Sequence, residues 1–161
     1  MIEGISSKIN QIYGECGLSF SEFQTEKESA EYDACTFKLN GKSVICRTAK
    51  ITPTKIGQFV TVWKRNKNGV TAPFNINDNF DFFVITTLNG ELSGQFIFHK
   101  SVLLAKGVIS GENSVGKRGI RVYPSWDLAT NKQAQKTQHW QLAYFLNFAD
   151  DYSALIKKLL K

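Results

Sequence analysis

The sequence predicts an α/β domain built on a central mixed sheet with helices packed on it. Three observations lead there: an Asn-Gly turn at 40–41 between β-rich runs, a second Asn-Gly at 89–90 between apolar runs, and helical periodicity near both ends of the chain. With 161 residues, 42% of them apolar, the chain can bury a sizeable core but is too short to divide comfortably. One domain over 1–161 is therefore expected.

Ile2, Ile5, Ile9 and Ile12 recur at spacings of three and four before Gly17, which predicts an amphipathic helix over 1–16 with a glycine stop. Residues 18–24 follow as a first strand. Asn40-Gly41 suits a type I′ turn, where both central residues need positive φ, so runs 33–39 and 42–50 pair with Leu39 opposite Lys42 and Cys35 opposite Cys46. If that pairing persists outward, Asp33 meets Thr48 and Glu31 meets Lys50, and the period of two gathers all four on one face.

Thr52-Pro53 offers an N-cap with proline in the first turn, and Ile56, Phe59, Val60 and Trp63 repeat at helical spacing. A helix is expected there, with Lys55, Gln58 and Arg65 on its polar side. Strands at 81–88 and 95–98 join across Asn89-Gly90, and residues 100–127 read as loops and short strands because Pro124 bars a long helix. Asn131 caps a helix from Lys132 to about Phe148, and Asp150 or Asp151 caps a short final one.

Lys and Arg outnumber Asp and Glu by 20 to 14, for a net charge of +6, which favours an anionic partner. Lys50, Lys55 and Arg65 extend one basic surface; Lys117, Arg118 and Arg121 add charge from a glycine-containing loop; and Lys132, Lys136 and His139 share a helical face. Trp126, beside Pro124 in a loop, is the aromatic placed to stack on a base, whereas Trp63 and Trp140 fall on apolar stripes and are assigned to packing. Gln58 and Gln138 are placed where they could meet ligand edges. The three cysteines lack C-x-x-C spacing, and no apolar run matches a signal peptide core or a spanning helix, so a reduced, cytoplasmic compartment without membrane contact is expected. Cys35 and Cys46 are read as small buried hydrophobes.

Glu28-Ser-Ala-Glu-Tyr-Asp33, Arg47-Thr-Ala-Lys50 and the run from Thr52-Pro53 through Trp63 resemble the MepB family. Pro73-Phe74, Gly94-Gln95-Phe96, Gly116 through Pro124, and Asn131 through Gln138 extend the resemblance over nearly the whole chain. It implies a fold similar to that of PD-(D/E)XK nucleases and a link to multidrug resistance, since a member is encoded beside a multidrug efflux pump and its regulator. In that fold an Asp on one strand and an acid two residues before a Lys on the next hold the metal and its water. Asp33 matches the first acid and Lys50 the lysine, but the second acid falls at Thr48. Mg²⁺ prefers hard anionic oxygens, so one acid and a hydroxyl make a weak site.

The expected function is therefore nucleic-acid binding, to RNA or DNA and single strands included, with low sequence specificity, a degenerate nuclease site and no cofactor. The runner-up is an active Mg²⁺-dependent nuclease using Glu31, Asp33 and Lys50, with Glu28 as a substitute ligand; a third reading is a protein-interaction adaptor. Gly111 to Arg118 has Walker A spacing, but Arg118 stands where the Mg²⁺-binding hydroxyl belongs. His99 and His139 lack the neighbours of a zinc site, and no serine or cysteine has a nucleophile's context.

Overall fold

The computed structural model describes residues 2–160, with side chains from residue 7 onward, so Ile2 and Ile5 of the first apolar stripe have side chains outside the described residues. Helix α1 (Ile2–Glu15) ends at Gly17, whose φ of 77° lies in the left-handed region that a helix stop uses. Strands β1 (Phe20–Thr25), β2 (Cys35–Leu39) and β3 (Lys42–Thr48) then form an antiparallel meander. Asn40 and Gly41 have φ of 49° and 80°, as a type I′ turn demands, and Leu39 pairs with Lys42 and Cys35 with Cys46. Both cysteines are buried free thiols.

Pairing stops at Cys35 rather than running on to Asp33 and Glu31. A 3₁₀ turn (Ala30–Tyr32) precedes β2, and Asp33 has a φ of 50°, so the backbone leaves the sheet there. On the other side Ala49 donates its N–H to Thr86 O and the chain departs into β4 (Lys50–Ile51). The expected helix after Thr52 is instead two strands, β5 (Gln58–Thr61) and β6 (Trp63–Arg65), with β7 (Thr71–Pro73) pairing against β6. Gln58, Val60 and Val62 alternate into the core, and that period of two, in a β-branched run, overrides the helical spacing of the neighbouring apolar residues.

Strands β8 (Phe82–Asn89) and β9 (Leu92–His99) form the second hairpin, and β8 runs parallel to β3. A short helix α2 (Lys100–Ala105) occupies a stretch expected to be loop; His99 Nδ1 accepts from Ser101 N and caps it. After β10 (Gly119–Val122), helix α3 (Lys132–Leu142) starts at Asn131, whose side chain accepts from Ala134 N. It stops short of Phe148 because β11 (Phe145–Asn147) pairs with β9. Asp151 Oδ1 accepts from Ser153 N and Oγ at the start of α4 (Ser153–Leu159), which holds its carboxyl below the usual range.

The strands assemble as a six-stranded mixed sheet in the order β1-β2-β3-β8-β9-β11, with an outer three-stranded sheet β10-β5-β4. Alternation divides the core. Phe37, Val44, Cys46, Val84 and Ile97 face α1 and α4, while Phe83, Ile85, Phe96 and Phe98 face the outer sheet, α2 and α3. Arg47 also points to the second side. It is 4% exposed, lies over the Phe74 and Phe83 rings at 5.5 and 5.6 Å, and donates to Thr61 O at 2.6 Å and Trp63 O at 3.1 Å.

Arg47→Ala opens a cavity beside the Phe74 and Phe83 rings and strips both carbonyls of their donor, so it should lower folding stability by about 3 kcal/mol. A urea melt followed by circular dichroism checks this through a reduced midpoint at constant slope.

Candidate nucleic-acid interface

The outer sheet turns two faces to different surroundings. Val60, Val122 and Gln58 point inward and are buried, whereas the paired residues Lys50, Phe59 and Arg121 form a row across the opposite face. Adjacent strands lie about 4.8 Å apart, so the Lys50 and Arg121 backbones are about 10 Å apart with Phe59 between them. Lys50 Nζ lies 4.8 Å from the centroid of Tyr32, and Tyr32 meets Phe59 edge-on.

Beside that face, two adjoining hollows of about 350 and 420 Å³ separate the outer sheet from α3. Both are lined by Arg121, Tyr123, Asn131 and Ala134, so they form one groove. Lys106 and Lys117 line the smaller hollow, towards α2, and Lys55 lines the other. No carboxylate lines either hollow, and none of these four cations pairs with an acid among the described residues. Their mutual repulsion is uncompensated, which sets up a field for an anion.

Local structure explains how each cation is held. Arg121 donates to Thr52 Oγ1 at 2.6 Å and to the Ile56 and Gly57 carbonyls, neutral acceptors that fix the guanidinium without cancelling its charge. Gly57 has a φ of 84°, and a Cβ there would lie 2.7 Å from the Tyr123 ring, so only glycine lets Tyr123 lie against the 52–57 loop. A Cβ at Gly116 would lie 2.5 Å from the Val108 carbonyl oxygen, and Lys117 N donates to Val108 O at 2.8 Å. The Walker-like run is thus a loop packed on the 108–109 backbone, followed by a strand.

Gln141, 1% exposed, completes the wall. Its carboxamide accepts from Tyr123 N at 2.9 Å and donates to Arg121 O at 3.0 Å, so one side chain satisfies the outer edge of β10 as a strand would.

The structure thus brings Lys55, Lys117 and Arg121 to the groove and leaves Lys50 on the adjoining face of the outer sheet. Lys132, Lys136 and His139 are exposed on α3 one residue round from Gln133, Thr137 and Trp140, which line the groove. Other candidates lie apart from it. Arg65 pairs with Glu28 at 3.0 Å and caps Gly69 O, and Arg118 donates to Thr71 O at 3.1 Å, both bracing β6 and β7. Gln58, expected on a polar helix face, is 1% exposed and donates to Leu88 O. Gln138 fans its amide over three carbonyls, of Tyr123, Pro124 and Asp127. Trp126 packs edge-on against Phe145 at 5.6 Å and does not line the groove.

The nuclease-like quartet does not assemble as the extended register implied. Glu31 is exposed on the 3₁₀ turn, Asp33 sits half-buried after it, Thr48 ends β3, and Lys50 has left for the outer sheet. Among the described residues no three His, Cys, Asp or Glu side chains gather closely enough to hold a metal ion. No helix among them is long and apolar enough to cross a membrane. Lys106 and Gln141 were missed in the sequence. The only signal for Lys106 was a basic residue before Gly107, a helix-end pattern in a stretch read as loop.

A family model described as MepB-like matches residues 26–147. The crystal structure of MepB superposes with a TM-score of 0.81 at 37% identity, covering 90% of this chain and 98% of that one. A bacterial homing endonuclease aligns with a TM-score of 0.46 at 16% identity over 82% of each chain. No curated protein matches the sequence.

Gly57→Ala forces a methyl into the Tyr123 ring at a left-handed backbone position, so it should cost about 2 kcal/mol. Amide hydrogen exchange is expected to show faster opening of 52–61 and 119–123, with α1 and β1–β2 unchanged.

Proposed function

The chain belongs to the MepB-like family, and from that premise we propose that it binds nucleic acid, RNA or DNA, through the groove between the outer sheet and α3, with low sequence specificity and without cleaving it. The observation that carries this reading is the acid-free lining of the groove by Lys55, Lys106, Lys117 and Arg121. Four cations at an open groove suit a chain of phosphates better than a single compact anion, because they are spread along its length rather than focused on one point. Phosphate contacts position a strand without reading it, which accounts for low specificity. Lys132 and Lys136 on the flank of α3, and Lys50 on the sheet face, lengthen the same track.

We read the meander β1-β2-β3 followed by parallel β8 as a PD-(D/E)XK-like core whose metal site has degenerated. Supporting this, Thr48 stands where the second acid belongs, Glu31 is exposed on the 3₁₀ turn, and no three acidic, His or Cys side chains gather among the described residues. A hard divalent cation needs several oxygen ligands, and a lone carboxylate beside a hydroxyl supplies too little charge to hold it and activate its water. The link to drug resistance that the family resemblance implies would then run through binding rather than hydrolysis.

Fluorescence anisotropy of a labelled oligonucleotide at about 50 and 200 mM salt should show a steep loss of affinity with salt. In the triple variant Lys55→Ala, Lys106→Ala, Lys117→Ala the slope of log K against log salt should shrink by about 2 to 3, one phosphate contact for each lysine. An unchanged slope would place binding elsewhere, and no binding even at low salt would favour a protein partner. Incubation with Mg²⁺ should leave the oligonucleotide intact, and EDTA should leave the affinity unchanged.

A further inference from the structure

We infer that the α2-side hollow of the groove seats one unstacked nucleobase of the bound strand on Trp140, beneath Lys106. This rests on the nucleic-acid reading above and adds a base-binding subsite to it. The hollow differs from a plain phosphate track in its walls. Trp140 and Tyr123 are half-buried aromatic side chains that both line it, and Gln133 and Thr137, one helical turn apart on α3, put polar groups beside them. A cavity of about 350 Å³ has room for a base and is larger than a phosphate group alone would need.

The indole is packed by two aromatic rings and contacted by one cation. Phe98 packs against it at 5.4 Å and Tyr144 meets it edge-on, which fixes the ring plane. Lys106 Nζ lies over the ring 5.4 Å from its centroid, and Lys106 is itself exposed. A cation–π contact at an exposed site holds by a factor of only about 2 to 5. Stacking of a base on an aromatic side chain contributes a factor of about 5 to 150, so an incoming base displaces the ammonium. Once displaced, Lys106 remains within its own side-chain reach of the base's phosphate. The lysine therefore covers the indole in the free protein and becomes a phosphate contact in the complex. Gln141, although in the same wall, spends its carboxamide on β10 and is not free to read the base.

The test compares a fluorescein-labelled single-stranded dodecamer with the same backbone carrying abasic sites throughout, which keeps every phosphate and removes every base. The full-length protein should prefer the intact strand by at least about 5-fold. Trp140→Leu should abolish that preference while keeping its affinity for the abasic strand and its salt slope, and Trp140→Phe should restore most of the preference. Should Trp140→Leu fail to fold, Thr137→Met, which narrows the hollow from a half-exposed position, should reduce the preference in the same way. Equal affinity of the unmodified protein for both strands, or a preference that survives both Trp140→Leu and Thr137→Met, overturns the base seat and leaves the phosphate track standing. Failure of both strands to bind at about 50 mM salt overturns both readings together.

Discussion

The buried guanidinium of Arg47 joins the two sheets. It leaves the central sheet from β3, packs beside the contacting rings of Phe74 and Phe83, and ends on the carbonyls of Thr61 and Trp63, on either side of the break between β5 and β6. Burial pushes its pKa down to about 10, so the charge persists at neutral pH at a desolvation cost of order a few kcal/mol. That cost is present at every pH below about 10 and is relieved only as the group loses its proton above it. The two flanking rings and the hydrogen bonds offset it, and Thr61 Oγ1 passes the link on to Ser29 at 2.7 Å. One side chain thereby connects the central sheet, the outer sheet and the segment before β2.

The groove is a consequence of that attachment. With β5 held against the core by Arg47 and by the inward residues Val60 and Val62, β5 and its partners β4 and β10 must present Phe59, Lys50 and Arg121 outward. Gln141 then closes the edge of β10 with a side chain rather than another strand, which leaves α3 standing off from the sheet and opens the hollow between them. Arg121 and the Gly57–Tyr123 contact tie down the far wall. Basic side chains from 55, 106, 117 and 121 line one groove only because separate stretches of the chain deliver them along it.

How much of this was legible in the sequence follows from the range of the interactions involved. The Asn40-Gly41 hairpin and its register are set by local turn geometry and were readable, as were α1 with its glycine stop and the Asn131 cap. The outward extension to Asp33 and Lys50 failed because departure from the sheet depends on Ser29 and Asp33 adopting left-handed φ and on β4 finding β5, both tertiary events. The 53–65 stretch carries two periodicities at once, and the sheet that selected the period of two is assembled from residues 60 positions downstream. Lys55, Lys117 and Arg121 were legible as basic residues but not as neighbours. Trp140, read as packing, does pack on Phe98, while Trp126, favoured for its loop, packs against Phe145. Lys106 and Gln141 carried no pattern beyond their own chemistry.

The chemical picture is a groove lined by four cations and no carboxylate, beside a hairpin at which, among the described residues, no metal-holding cluster of acids gathers. Photo-crosslinking of a halogenated single-stranded oligonucleotide to the intact protein, with the attached peptides identified by mass spectrometry, tests that picture most directly. Crosslinks should fall within 50–59, 104–123 and 131–141, the segments that build the groove. Crosslinks concentrated instead on β1 and β2, or at the 88–92 hairpin tip, would contradict it.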